Sequence, residues 1–274
     1  MGEFITEPEV ALIGKPIIEI DGVMKFLDDH GYSWPEFTDK LKSMMSFGDD
    51  DGEWLVELAG RMCYQSWPKY GEEATGRSHS DHIKNLIDIG HTSVLEHSQF
   101  NFAIWNISRS CSHELVRHRI ASYSQLSQRY CDSSSVSFII PPAIQELAKI
   151  DPDTYRTWIE HCEKSRQLYE ILTEKLSDMY QNIDSKLERR KKARQAARSV
   201  LPNATETKMV VSMNARALRH LIKLRANPAA DVEIRALAIK VCRILQEKAP
   251  LFAHGLNIVD LDDGTKGVES NHNK

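Results

Sequence analysis

The chain has 274 residues, 41% hydrophobic and 27% charged, with net charge −4 and a pI near 6.3. This composition fits a folded domain with a sizeable core and excludes a disordered chain or a globally basic nucleic-acid binder. Five cysteines (Cys63, Cys111, Cys131, Cys162, Cys242), an odd number without a C-x-x-C pair, argue against a disulfide framework or structural zinc and for a reducing compartment. Glu3, Glu7 and Glu9 stand where a secretory leader needs a basic start, and no stretch approaches the length of a membrane span, so a cytoplasmic protein is expected.

Pro16 to Gly22 predicts a strand ending in an Asp-Gly turn, and Asp49 to Glu53 an acidic turn. From Trp54 onward, Leu55, Leu58, Ala59 and Met62 fall at helical spacing. A loop built on Pro68, Gly71 and Gly76 follows, and His82 to Ile89 reads as a helix stopped by Gly90. Gly90 to His97 sets His91 and His97 around Ser93 and Glu96; a turn that satisfies its own backbone and a binding role both remain open, while metal ligation lacks a third ligand at suitable spacing. Phe100, Phe102 and Ile104 alternate with Asn101, Ala103 and Trp105 as a half-buried strand.

That strand runs into residues 108–130, where Arg109, Arg117, Arg119, Arg129, His113 and His118 crowd with hydroxyl and amide side chains against one acid, Glu114. Such a cluster is costly to hold together without an anion in its midst, so it is read as the binding and reaction centre for a small phosphate-bearing ligand. Ser110 is placed as the cap of a helix with Glu114 in its first turn, where Glu114, Arg117 and His118 could form an ion-pair face. A zinc-protease helix needs histidines at i and i+4, and His113 and His118 are five apart. Arg117, Arg119 and Arg129 outnumber the one nearby carboxylate, and surplus guanidinium suits phosphate.

After Val136 to Ile140 and the Pro141-Pro142 break, residues 143–182 read as helical, with Tyr155, Ile159, Cys162, Leu168, Ile171, Leu172, Leu176 and Met179 as a core or subunit-interface stripe. Lys186 to Arg198 carries seven basic residues against Glu188, a solvated helix face from which Arg198 turns inward. Asn214 to Arg225 is helical, with Arg216 and His220 on one face, and Asp231 opens a last helix burying Ile234, Leu237, Val241 and Leu245. Beyond Leu256 a polar, loose tail is expected. The sequence holds no G-x-G-x-x-G, Walker A or G-x-S-x-G motif, so any nucleotide or flavin must be held by side chains.

Arg117-His118-Arg119, followed seven residues later by Ser127, resembles the R-H-R-x7-S signature of the flavin-dependent thymidylate synthases. Gly90 to His97 before it, and Ala197 to Pro202 and Asn214 to Arg225 after it, agree in order and approximate spacing, so the resemblance spans about Ala59 to Ala253. It implies an α+β fold peculiar to the family, a mixed sheet with long helices, in a single catalytic domain over 1–274 with a polar tail from about 257 to 274. It also implies a homotetramer whose active sites form where subunits meet. The implied reaction is the reductive methylation of dUMP to dTMP. The carbon comes from 5,10-methylenetetrahydrofolate, which leaves as tetrahydrofolate, and hydride passes from NADPH through FAD. No membrane or nucleic-acid partner is expected.

Residue by residue, the resemblance implies FAD contacts at Ser93, Arg117, His118, Arg119, Asn214, Ala215, Arg216 and His220, with Gln125 where flavin and nucleotide sites adjoin. It implies a nucleotide pocket from Glu114, Leu115, Val116, Arg117, Gln125, Leu126, Ser127, Gln128, Arg129, Arg198 and Arg225. Arg225 matches the catalytic arginine that favours loss of the uracil N3 proton, and a guanidinium in a water-poor site stabilises that anionic ring. At Glu114 and Gln125 glutamine and glutamate differ among family members. None of the cysteines sits in the Pro-Cys context of the unrelated classical thymidylate synthase, which implies a cysteine-free route. Ser127 has no evident base and is assigned to ligand binding. Two other readings stand beside this one: a nucleic-acid module using Lys186 to Arg198 with the arginines of the centre, and a helical oligomerisation protein without chemistry.

Overall fold

The computed structural model describes residues 2–42, 51–67 and 77–271. Strands β1 (Phe4–Ile5) and β2 (Glu9–Gly14) are followed by helices α1 (Ile20–His30), α2 (Pro35–Lys42), α3 (Asp51–Tyr64) and α4 (His79–Asp88). The strand expected over Pro16–Gly22 is absent. Val23 and Leu27 bury one face of a helix that Asp21 and Gly22 help to open and that Gly31, at φ +63°, closes. Pairing to the sheet is supplied earlier, by β2. The acidic turn is also helical from Asp51 onward: Asp51 accepts from the Ile18 N–H at 3.1 Å and Glu53 from the Leu251 N–H at 2.8 Å, so these buried carboxylates tie α3 to distant chain. Asp49, Asp50 and the loop on Pro68, Gly71 and Gly76 lie outside the described residues. Helix α4 begins three residues before the expected His82, where Ser78 caps it, and Gly90 at φ +79° follows it.

The remaining elements are β3 (Gln99–Ser108), α5 (Arg109–Leu115), β4 (Ser122–Gln125), β5 (Phe138–Ile139), α6 (Pro142–Ile150), α7 (Pro152–Met179), α8 (Lys186–Ala197), β6 (Glu206–Asn214), α9 (Ala215–Arg225), α10 (Val232–Lys248), β7 (Leu256–Asp260) and β8 (Lys266–Ser270). The architecture is α+β. Its main sheet has the order β2-β3-β6-β4 and is antiparallel throughout, so the expected mixed sheet is not formed; parallel pairing is confined to the separate β1–β5 pair. Phe100, Phe102 and Ile104 of β3 join Met209, Val211 and Met213 of β6 in one buried layer. Leu218, Leu221 and Ile222 of α9 and Leu237, Val241 and Leu245 of α10 cover it. The register between β3 and β6 shifts between Ile104 and Ile107, around Asn106 at φ +56°, which re-aims the end of β3 toward α5.

A second, smaller cluster of Val23, Leu27, Trp34, Phe37, Trp54 and Trp67 holds the N-terminal helices together. The described part of the tail, residues 256–271, is not loose. Strands β7 and β8 form an antiparallel hairpin that buries Leu256 and Val268, and the Val268 N–H reaches the Ala226 carbonyl at 2.9 Å. On α7, Cys162 and Tyr169 are buried but Leu168, Ile171 and Met179 are exposed, so part of that stripe lies outside the core of one chain. Among the described residues no helix is long and apolar enough to cross a membrane.

Candidate active site

Helix α5 is seven residues long and gathers the site around itself. Its cap is Ser108, at the end of β3, and not Ser110: the Ser108 Oγ accepts from the Cys111 N–H at 2.9 Å. The Ser108 hydroxyl and N–H donate to the two carboxylate oxygens of Glu233, each at 2.7 Å. Glu114 therefore falls in the last turn, and the helix stops before Arg117 and His118. The alternative of an ion-pair face within 114–118, which the surplus of arginine argued against, does not form among the described residues.

Glu114 instead accepts from the Nη1 of Arg225 at 2.6 Å, while the Nη2 of Arg225 reaches the Glu114 carbonyl at 3.3 Å. The Nε–H of Arg225 donates to His118 Nε2 at 3.0 Å, which places the His118 proton on Nδ1. Burial, then the positive charge of Arg225 and the neighbouring His220, push His118 down to about 4. It is a neutral acceptor at physiological pH. The Tyr123 hydroxyl, on β4, lies 2.8 Å from the Leu115 carbonyl and 2.7 Å from that of His118, sharing one proton between them and pinning the turn that follows α5. Burial raises this phenol to about 12, so it stays protonated.

Between that turn and α9 lies a cavity of about 460 Å³. Arg117, His118 and Arg119 line it from the turn, and Asn214, Arg216, His220 and Arg225 from α9 and its cap. Asn214 is fixed because its Oδ1 accepts from the Ala217 N–H at 2.8 Å. Arg216 pairs with Glu96 at 2.5 Å across the half-exposed mouth. Four guanidinium groups in this lining face one carboxylate, Glu96, with Glu114 joining from beside it.

Ser93 is exposed on the 3-10 turn Thr92–His97 and does not line the cavity, and the Ala215 side chain is buried in the core. Gln125 packs against α5, its amide donating to Ser112 Oγ at 3.0 Å and Thr207 Oγ1 at 3.2 Å. Leu115 is core and Val116 is partly exposed. Leu126, Ser127, Gln128 and Arg129 are half-buried in the following loop, outside the cavity. There the Leu126 N–H pairs with the Lys208 carbonyl, Ser127 Oγ accepts from the Arg129 N–H at 3.3 Å, and the buried Arg129 Nε has no partner among the described residues. Arg198 is half-buried as expected, and its charge, after burial, lowers Arg109 at the start of α5. Arg194 of α8 secures the same loop through the Tyr130 carbonyl at 2.6 Å and Asp132 at 2.9 Å.

Residues 43–251 match the family model for thymidylate synthase complementing protein. The chain is 47% identical over 221 residues to the flavin-dependent thymidylate synthase of Mycobacterium avium, covering 81% of this chain and 86% of that one. It is 46% identical over 217 residues to that of Mycobacteroides abscessus (79% and 84%) and 46% over 221 residues to that of Mycobacterium marinum (81% and 86%). The chain belongs to the flavin-dependent thymidylate synthase family.

For a flavin of this family, the donor set of the cavity fits. Its guanidinium groups exceed the carboxylates that could neutralise them, which suits a pyrophosphate. Ile120, Ala217 and Leu224 add apolar wall for a ring system. These three and Glu96 line the candidate site, and Tyr123 braces it from beside, without having been assigned from the sequence. Tyr123 sits in a Ser-Tyr-Ser alternation typical of a strand, and only its pairing with carbonyls five and eight residues away reveals a role.

Proposed function

We propose that the chain catalyses the reductive methylation of dUMP to dTMP, and that the cavity between the turn after α5 and α9 holds FAD. The balanced reaction consumes dUMP, 5,10-methylenetetrahydrofolate, NADPH and a proton and yields dTMP, tetrahydrofolate and NADP⁺. When bound, FAD relays the hydride of NADPH that completes the new methyl group. Arg117, Arg119 and Arg216 supply charge for its phosphates, and Asn214, His118 and His220 supply polar edges.

The observation that carries this reading is the state of Arg225. Glu114 and a neutral His118 grip it from two sides, yet it still lines the cavity. A guanidinium so oriented stabilises a uracil ring that has lost its N3 proton, which raises electron density at C5, the carbon to be methylated. Gln125, Ser127, Gln128, Arg129 and Arg198 are proposed to hold the nucleotide and its phosphate. In one chain they lie outside the cavity, which supports sites completed between subunits of a homotetramer. The exposed Leu168, Ile171 and Met179 of α7 and Leu187 of α8 offer apolar contact for such an assembly. A cytoplasmic setting accords with unpaired cysteines, two exposed and three buried.

The test is the visible spectrum of the purified protein before and after anaerobic NADPH, with and without dUMP. Bound flavin that bleaches, faster with the nucleotide, is expected. A colourless protein that cannot be loaded with FAD overturns the proposal.

A further inference from the structure

A second cavity, of about 340 Å³, opens where residues 6–8 of the N-terminal segment meet α10 and the start of β8, and it shares no residue with the cavity assigned to flavin. Its floor is apolar. Ile139, Ile140 and Ile239 are at most 5% exposed, and Val232 and Ala236 continue the surface along α10.

The charged groups around this floor are largely spoken for. Arg235, 2% exposed, donates through Nη1 to the Pro228 carbonyl at 2.9 Å and through Nη2 to Asp263 at 2.7 Å, and only its buried Nε is without a partner among the described residues. Both oxygens of Glu233 are occupied by Ser108. Lys240 has Glu9 at 3.2 Å and Glu7 at 3.7 Å, and Lys266 has Asp260 at 2.5 Å. Arg243 differs: it is exposed at the rim and makes no ion pair or hydrogen bond among the described residues. The cavity thus offers an apolar floor and one uncompensated guanidinium at its mouth.

The geometry points to a binding site for a monoanionic amphiphile, a carboxylate set on Arg243 with a hydrocarbon body of several carbons lying on Ile139, Ile140 and Ile239. The volume is that of a small ligand pocket. A nucleotide fits the wall poorly, because Glu233, Arg235, Lys240 and Lys266 already have partners and little is left to pair with a base, a ribose or a polyphosphate. The apolar body gains from leaving water, and the carboxylate gains a fork-shaped donor.

Octanoate is the probe, titrated into the full FAD-loaded protein by saturation-transfer NMR, with 1-octanol as the uncharged control. Saturable octanoate binding is expected, tighter than that of octanol. Arg243→Ala should weaken octanoate by about threefold to tenfold and leave octanol unchanged. Ala236→Phe fills the cavity from its wall and should weaken both ligands on the order of tenfold, with Ala236→Leu as the smaller plug should the larger one impair folding. Flavin content should stay constant in all three variants. Octanoate that fails to saturate, that binds no tighter than octanol, or that is unaffected by plugging at Ala236 overturns the assignment.

Discussion

At the first turn of α5, Glu233 is buried and commits both oxygens to Ser108; at the last turn, Glu114 is partly exposed and shares Arg225 with His118 beside an open cavity. Both ends use one carboxylate to complete the helix and its surroundings. At the first turn the partners are neutral and sealed, and burial raises Glu233. At the last turn the partner is a guanidinium that keeps a face toward solvent. The first arrangement fixes where α5 sits. The second leaves a charge available for a ligand.

The largest expected effect breaks the second arrangement. Arg225→Ala should retain fold and flavin but lower turnover by roughly 10²–10³-fold, the usual loss when one preorganised electrostatic donor is removed. Steady-state rates with the flavin spectrum as a loading control check this, and near-normal turnover would remove Arg225 from its role. Breaking the other end should do the reverse. Glu233→Ala leaves the buried Ser108 N–H and hydroxyl without acceptors, at about 1.5–3 kcal/mol of stability. Urea denaturation should show that loss, whereas Arg225→Ala should move the midpoint much less. Equal destabilisation by both would mean that the two ends of α5 are not distinct in kind.

How far the sequence could reach follows the same division. β3, α9 and α10 were legible because alternation, helical spacing and the cap Asp231 are local signals. The seven cavity residues of the signature, of α9 and of the Asn214 that precedes it were legible through motif resemblance. The cap at Ser108 was not, because the choice between two serines two residues apart is made by Glu233, 125 residues further on. Glu114 offered Arg117 and His118 as near partners, but the helix ends first and Arg225, 111 residues away, takes the carboxylate. The C-terminal hairpin was missed because its polar, Asp-rich turn resembles a tail. It is held by Asp263 taking Arg235 and Thr265 and by Val268 docking on Ala226.

A smaller effect tests how the open end is kept in shape. Tyr123→Phe removes the hydroxyl that pins the Leu115 and His118 carbonyls, a net loss of about 0.5–1.5 kcal/mol. Because those carbonyls frame the turn bearing Arg117 and Arg119, FAD affinity should fall by a few-fold while the fold is kept. A flavin titration that matches the parent protein would show that the turn holds its shape without the phenol.

The finest distinction between the two ends is in their response to acid. His118 titrates at about 4 in the folded chain and near 6.5 in the unfolded chain, so the unfolded state binds more protons between these values. Its contribution to stability is complete above about pH 6.5 and is lost as pH falls toward 4. A protonated His118 can no longer accept from the Nε–H of Arg225 and instead repels it, so the open end should loosen first on acidification. Glu233 responds with the opposite sign. Its folded pKa is raised above 4.5, so its contribution is complete below that value and declines as pH rises through the raised pKa. Urea midpoints of the flavin-free protein at several pH values between 7 and 4, compared with His118→Gln, separate these terms. The variant should lose part of the acid-side slope and Glu233→Gln should not; an unchanged slope in His118→Gln would show that His118 is not held neutral by Arg225 and burial.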